Sequence, residues 1–164
     1  MAEAGYSAAQ AAVGHYYEKG KGVEQDYSKA RTWYRKAADQ GLSLPQTYLG
    51  ALYLKGLGGP QDIDEAVKWF TRAAVKGWPQ ALLMLALMHD FGAGIPQDDI
   101  EAYRFYRVGW DYVGWDGKSK SELAQKIQKR LRIVEERMSM DEIEEGDRRV
   151  QEWEEQHPKP RYVY

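Results

Sequence analysis

GKGVEQDYSKARTWYRKAA, residues 20–38, decides how this chain folds, because it returns twice. It comes back as GLGGPQDIDEAVKWFTRAA at residues 56–74, and in a more divergent form as GAGIPQDDIEAYRFYRVGW at residues 92–110. The period is 36 residues, with Gly20, Gly56 and Gly92 in one register and Asp26, Asp62 and Asp98 in another. A fixed period of this length marks a stacked repeat, each unit a small supersecondary element that cannot bury its apolar face alone.

Each period holds two helices and two connections. In the first, helix A is predicted over Ala8–Lys19 and breaks at Gly20-Lys21-Gly22. Asp26 suits an N-cap, and helix B runs to about Gln40, with Ala30, Trp33, Tyr34 and Ala37 on one stripe. Gly41 suits the left-handed residue that closes a helix. The second period repeats this plan, with helix A at Pro45–Lys55 and helix B at Ile63–Lys76. Its stripe is Ala66, Trp69, Phe70 and Ala73, and Gly77 is the stop. The third has helix A at Gln80–Phe91 and helix B at Asp99–Val108, with Ala102 in the first stripe position. Asp62 with Glu65, and Asp98 with Glu101, have capping-box spacing. Gly14 and Gly50 lie inside helices, where glycine costs about 1 kcal/mol against alanine. That cost points to close helix crossings, with Ala30, Ala37, Ala66 and Ala73 as the expected facing residues.

The array then stops, because Glu122 and Gln128 stand where a fourth copy needs glycine. Trp110–Lys118 reads as a Gly/Trp-rich connection. Ser119 with Glu122 is expected to open a helix reaching Met138, striped by Leu123, Ile127, Leu131, Val134 and Met138. Ser139 with Glu142 opens another, with Ile143, Val150 and Trp153 on one side and His157-Pro158 as its end. Lys118–Arg132 is strongly basic and Glu135–Glu155 strongly acidic, which reads as two solvated faces that attract each other. At the other end, Ala2 and Gly5 align with Ala38 and Gly41, so residues 1–6 look like the tail of a preceding repeat.

Composition limits the function. The formal charge of −2 argues against nucleic-acid binding through bulk charge. There is no cysteine, which excludes a disulfide scaffold and a cysteine-ligated metal. The apolar run Ala81–Met88 is too short to span a bilayer, so membrane insertion is not expected. The chain as it stands reads as cytoplasmic; an upstream signal removed from it would make it periplasmic or secreted.

The recurring G-x-G follows a helix rather than a strand and lacks a third glycine, so it reads as loop geometry and not as a phosphate loop. His15, His89 and His157 form no metal-ligand spacing, and His89 stands where Tyr17 and Tyr53 stand in the other copies. No G-x-S-x-G or S-x-x-K motif is present. No catalytic residue, cofactor or metal is assigned.

The pattern Val13-Gly14, Tyr17, Gly20, Gly22, Val23, Asp26, Ala30, Trp33-Tyr34, Ala37-Ala38, Gly41 is similar to the Sel1-like repeat, a relative of the tetratricopeptide repeat. The third copy departs from it at Ala86, His89 and Gly109-Trp110. The resemblance covers roughly two-thirds of the chain. It implies an all-α fold: a right-handed α-solenoid of antiparallel helix pairs, about three repeats, with a C-terminal two-helix cap. The copies lie near 7–42, 43–78 and 79–113, the cap at 114–157 and a loose tail at 158–164.

In related arrays helix A lines the concave surface. Carried over by register, that surface presents His15, Glu18, Lys19, Thr47, Leu54, Lys55, Leu83, Leu87 and Phe91 to a protein or peptide. The resemblance implies an adaptor or scaffold, often bacterial; with no catalytic motif an enzyme is not expected, and of the oligomeric states a monomer is favoured. Two alternatives are an immunity protein for a toxin or enzyme, and a hydrolase of a cell-wall or β-lactam-like substrate. The β-lactam link resembles a cysteine-rich subgroup, which this chain does not match.

Overall fold

The computed structural model describes residues 2–114 and 121–158, and among these every regular element is helical. In chain order the helices are α1 Ala2–Lys19, α2 Tyr27–Asp39, α3 Ser43–Lys55, α4 Ile63–Ala74, α5 Pro79–Phe91, α6 Asp99–Gly114, α7 Glu122–Glu135 and α8 Met140–Gln156. They group into two compact units, Met1–Ala73 and Ala74–Tyr164.

The helix ends follow from the repeated polar residues. Asp26 Oδ1 accepts from Lys29 N at 2.9 Å, Asp62 Oδ1 from Glu65 N at 3.0 Å and Asp98 Oδ1 from Glu101 N at 2.9 Å. Each capping Asp also donates its backbone N–H to a carbonyl of the preceding helix: Tyr17, Tyr53 and His89. That closes the loop between the paired helices. The loop needs left-handed backbone at both glycines of each G-x-G, and Gly20, Gly22, Gly56, Gly58, Gly92 and Gly94 all have φ between +63° and +80°.

In the first unit, α2 packs on α1 and α3. Ala30, Tyr34, Ala38, Leu49, Leu52 and Trp69 form its core, and Tyr17, Tyr27, Tyr48, Tyr53 and Leu57 pack around them. Gly14 and Gly50 do mark close approaches, but their neighbours are rings rather than the expected alanines. A Cβ on Gly14 would lie 2.8 Å from Tyr34 Cδ1, and one on Gly50 2.8 Å from Phe70 Cε1. Flat aromatic faces fill the crossing, so the glycines and the rings recur together.

In the second unit, α6 packs on α5, α7 and α8. Leu82, Leu85, Met88, Tyr103, Tyr106, Val108, Ile127 and Val134 are withdrawn from solvent. Each such apolar side chain contributes about 2 kcal/mol by burial.

Several expectations are corrected. Helix α6 continues to Gly114 instead of ending at Val108, so Trp110–Gly114 is helical and not connection. Val113 stands where Gly41 and Gly77 turn the chain with positive φ in the other copies, so the stop is missing here. Ser119 lies outside the described residues, and the cap of α7 is Ser121, whose Oγ accepts from Ala124 N at 3.1 Å. Helix α7 ends at Glu135, short of Met138.

The Asp62/Glu65 and Asp98/Glu101 boxes form only their aspartate half. Glu65 turns to Lys68 and to Trp69 Nε1 at 2.9 Å, and Glu101 turns to Arg104 and Arg149. Charged partners outcompete a backbone N–H there. Ser139 and Glu142 do form the complete box that opens α8. Among the described residues, the ion pairs of these basic and acidic runs reach back to the repeats: Arg130 and Arg137 meet Asp90, Arg149 meets Glu101, and Asp147 receives Arg107. Residues 2–7 continue α1 without a break at Gly5, unlike the tail of a repeat, where Gly41 and Gly77 turn the chain with positive φ.

Candidate functional site

Among the helix-A positions of the first unit, Glu18 is a carboxylate held by two donors. Glu18 Oε2 accepts from the Tyr34 hydroxyl at 2.7 Å, and its Oε1 accepts from Lys19 Nζ at 2.6 Å. Burial alone would raise the Glu18 pKa, but the bonds from Lys19 and Tyr34 outweigh it and hold the group below the ordinary carboxylate value. Tyr34 is raised, by burial first and then by Glu18, so it stays a hydroxyl donor. Beside them the Tyr48 ring tilts against Tyr34 at 5.2 Å, and His15 stacks on Tyr48 at 6.4 Å. Lys19 and Lys55 are exposed and His15 and Leu54 half-buried.

Thr47 drops out of this surface. It is buried, and its hydroxyl donates to Ser43 O at 2.9 Å within α3. Its position faces the helix pair and not solvent.

The matching helix-A positions of the second unit are occupied differently. Asp90 stands 72 residues after Glu18 and Tyr106 stands 72 after Tyr34, so the acid–tyrosine pair recurs. The Tyr106 hydroxyl donates to Asp90 Oδ2 at 2.9 Å. Arg130 Nε donates to the same oxygen at 2.9 Å, and Arg137 Nη2 donates to Oδ1 at 2.7 Å. The Asp90 side chain has no exposed surface. Burial pushes its pKa up, but Arg137, Arg130 and Tyr106 more than reverse this and hold it low. Arg137 also binds Asp99, and the Arg130 guanidinium lies 4.4 Å from the centre of the Phe91 ring. Leu83 is buried, which removes it from the candidate surface; Leu87 is half-buried and Phe91 is 62% exposed.

Sequence reasoning missed the sealing of Asp90, because Arg130 and Arg137 lie outside the repeated pattern. A signal for the pair was nevertheless present. The second copy has Leu54 and Phe70 at these two positions, so acid and hydroxyl are kept together or lost together.

Among the described residues, no three His, Asp or Glu side chains group as metal ligands. No described helix is long and apolar enough to cross a membrane.

The repeat geometry agrees with comparison to known proteins. The family model described as Sel1 repeat matches residues 7–42, 46–77 and 79–108. The chain belongs to the Sel1 repeat family. A Sel1 repeat protein from Oxalobacter formigenes, solved by crystallography, is 37% identical to it with a TM-score of 0.60, covering 65% of this chain and 44% of that one. A protective antigen present in uropathogenic Escherichia coli strains, whose crystal structure displays an SLR fold, covers 95% of this Sel1 chain and 39% of its own, at 22% identity and a TM-score of 0.68. The second likeness shows the fold alone. The chain spans less than half the length of either structure. A comparison with curated proteins finds no match. Sel1 repeats generally mediate protein–protein interaction, typically as non-catalytic scaffolds, and these neighbours suggest a bacterial source.

Proposed function

We propose that this chain is a non-catalytic adaptor that holds a protein or peptide on the helix-A surface of its first unit, at His15, Glu18, Lys19, Leu54 and Lys55. The observation that carries this reading is the contrast between the two acid–tyrosine pairs. Asp90 is sealed inside the second unit by two arginines of the same chain, whereas Glu18 keeps 17% of its side chain exposed and, among the described residues, is joined by Tyr34 and the exposed Lys19. A charged group held in place at an incompletely covered surface is the kind of feature through which a repeat protein selects a partner. Leu54, half-buried and one period on from Glu18 in the same register, supplies apolar contact. Leu87 and Phe91 offer a separate apolar contact on the second unit. On this reading residues 1–113 are the binding array and 114–157 its cap.

The test is capture from the native host with the parent chain and with a Leu54→Glu, Lys55→Glu variant. Loss of the captured partner, with an unchanged helical circular-dichroism spectrum, is the expected result. Unchanged capture overturns the assignment.

A further inference from the structure

The two acid–tyrosine pairs of this chain differ in one respect that identifies a ligand. The second is filled by guanidinium groups, and the first is not. We propose that Glu18 and Tyr34 receive an arginine side chain carried on a helix of another protein. This rests on the adaptor reading above and names the chemistry of its partner.

The second unit shows what fills such a pair. Two guanidinium groups donate to the two oxygens of Asp90 while Tyr106 holds one of them in place. An aromatic face, Phe91, lies under the Arg130 guanidinium. The first unit repeats the receptor half of this arrangement. Glu18 Oε2 is fixed by Tyr34, and the rings of Tyr48 and His15 stand beside the pair. A carboxylate has about four lone-pair sites, and Glu18 uses one for Tyr34 and one for Lys19. Lys19 is a weak occupant: its side chain is 50% exposed, and an ammonium lacks the planar fork that matches two carboxylate oxygens.

Folding does not require the pair. The middle copy puts Leu54 and Phe70 in the same register, and Phe70 is fully buried against Gly50. An acid and a hydroxyl in the first copy therefore point to something other than the stability of the repeat. A second copy of this chain is a poorer occupant, since its own Arg130 and Arg137 are engaged at Asp90.

The probe is a synthetic peptide with the sequence of residues 121–138, SELAQKIQKRLRIVEERM, titrated into the isotopically labelled full chain and followed by amide NMR. A second peptide carries Arg130→Gln and Arg137→Gln and keeps the lysines, which separates guanidinium recognition from general positive charge. The expected result is shifts at His15, Glu18, Lys19 and Tyr48, with binding at least ten-fold weaker for the glutamine peptide and for Glu18→Gln protein. Tyr34→Phe protein should fold, as Phe70 shows that ring is accommodated, and should bind several-fold more weakly. Lys19→Ala protein should bind several-fold more tightly, because a competitor for the carboxylate is gone.

Equal binding of the two peptides, equal binding to Glu18→Gln protein, or shifts confined to residues around Asp90 would each overturn the proposal. So would a dimer in sedimentation that dissociates with Arg130→Gln, which places a second copy at the site. If Leu54→Glu, Lys55→Glu protein loses its captured partner while Glu18→Gln keeps it, the arginine assignment falls and the adaptor reading stands. If both keep it, the adaptor reading falls as well.

Discussion

Tyr106 donates its hydroxyl to Asp90 Oδ2 at 2.9 Å, and the pair is closed off from water by Arg130 and Arg137, two residues from beyond the repeated sequence. An unpartnered carboxylate at this depth would be costly; with Tyr106, Arg130 and Arg137 all donating to it, the charge is held in place. The link ties α5 and α6 to α7 and to the turn after it.

Asp90→Asn keeps the shape and removes the charge that the two arginines face. Breaking one side of a buried ion pair costs about 3 kcal/mol, and that loss is expected here. The Asp90 carboxyl is held below its ordinary value of 3.8. A depressed carboxylate contributes stability that is complete above the unfolded value and lost as pH falls through the folded one. Urea midpoints of parent and variant should therefore differ by a constant amount at neutral pH, and the gap should narrow below pH 3.8. A variant equal to the parent at pH 7 would contradict the role given to Asp90.

Much of the fold was legible because its signals are periodic. Asp26, Asp62 and Asp98 cap helices, and the glycine pairs turn the chain, at a spacing that no other reading accommodates. Non-periodic features were harder. Helix α6 outruns its repeat because Val113 stands where Gly41 and Gly77 turn the chain with positive φ. The candidate surface follows from register but not from burial: Thr47 and Leu83 share the helix-A pattern with Lys19 and Leu54, yet packing withdraws them from solvent. Charge runs do not by themselves name partners. Arg130 and Arg149 reach the array, and pattern alone carries no information about which acid a long side chain meets.

Gly146 reads as a weak point in α8, yet it is a contact. A Cβ there would lie 2.5 Å from Tyr103 Cδ1, and the Tyr103 hydroxyl donates to Asp147 on the same helix at 2.8 Å. Gly146→Ala gains helix propensity of about 1 kcal/mol. The overpacking it causes costs about 1–3 kcal/mol, and the ring cannot swing aside without losing Asp147. The expected net effect is a lower urea midpoint, partly restored by adding Tyr103→Leu. A midpoint raised by the alanine alone would show that α8 has room to move.

His89 takes the place held by tyrosine in the other copies and stacks on Phe105 at 5.8 Å with an interplanar angle of 18°. Its Nδ1 is buried with no hydrogen-bond partner. Burial lowers its pKa below the ordinary 6.5; Glu101 and Asp98 pull it up and Arg104 pushes it down, and burial prevails. The native state thus binds the proton less readily than the unfolded chain does. Stability from neutral His89 is complete above pH 6.5 and declines as pH falls toward the folded value. His89→Phe keeps a ring against Phe105 and removes the proton site. Thermal midpoints of the parent should fall between pH 7 and pH 5, and those of the variant should fall less over the same interval. Parallel curves for the two proteins would mean that the imidazole is accommodated equally well in both charge states.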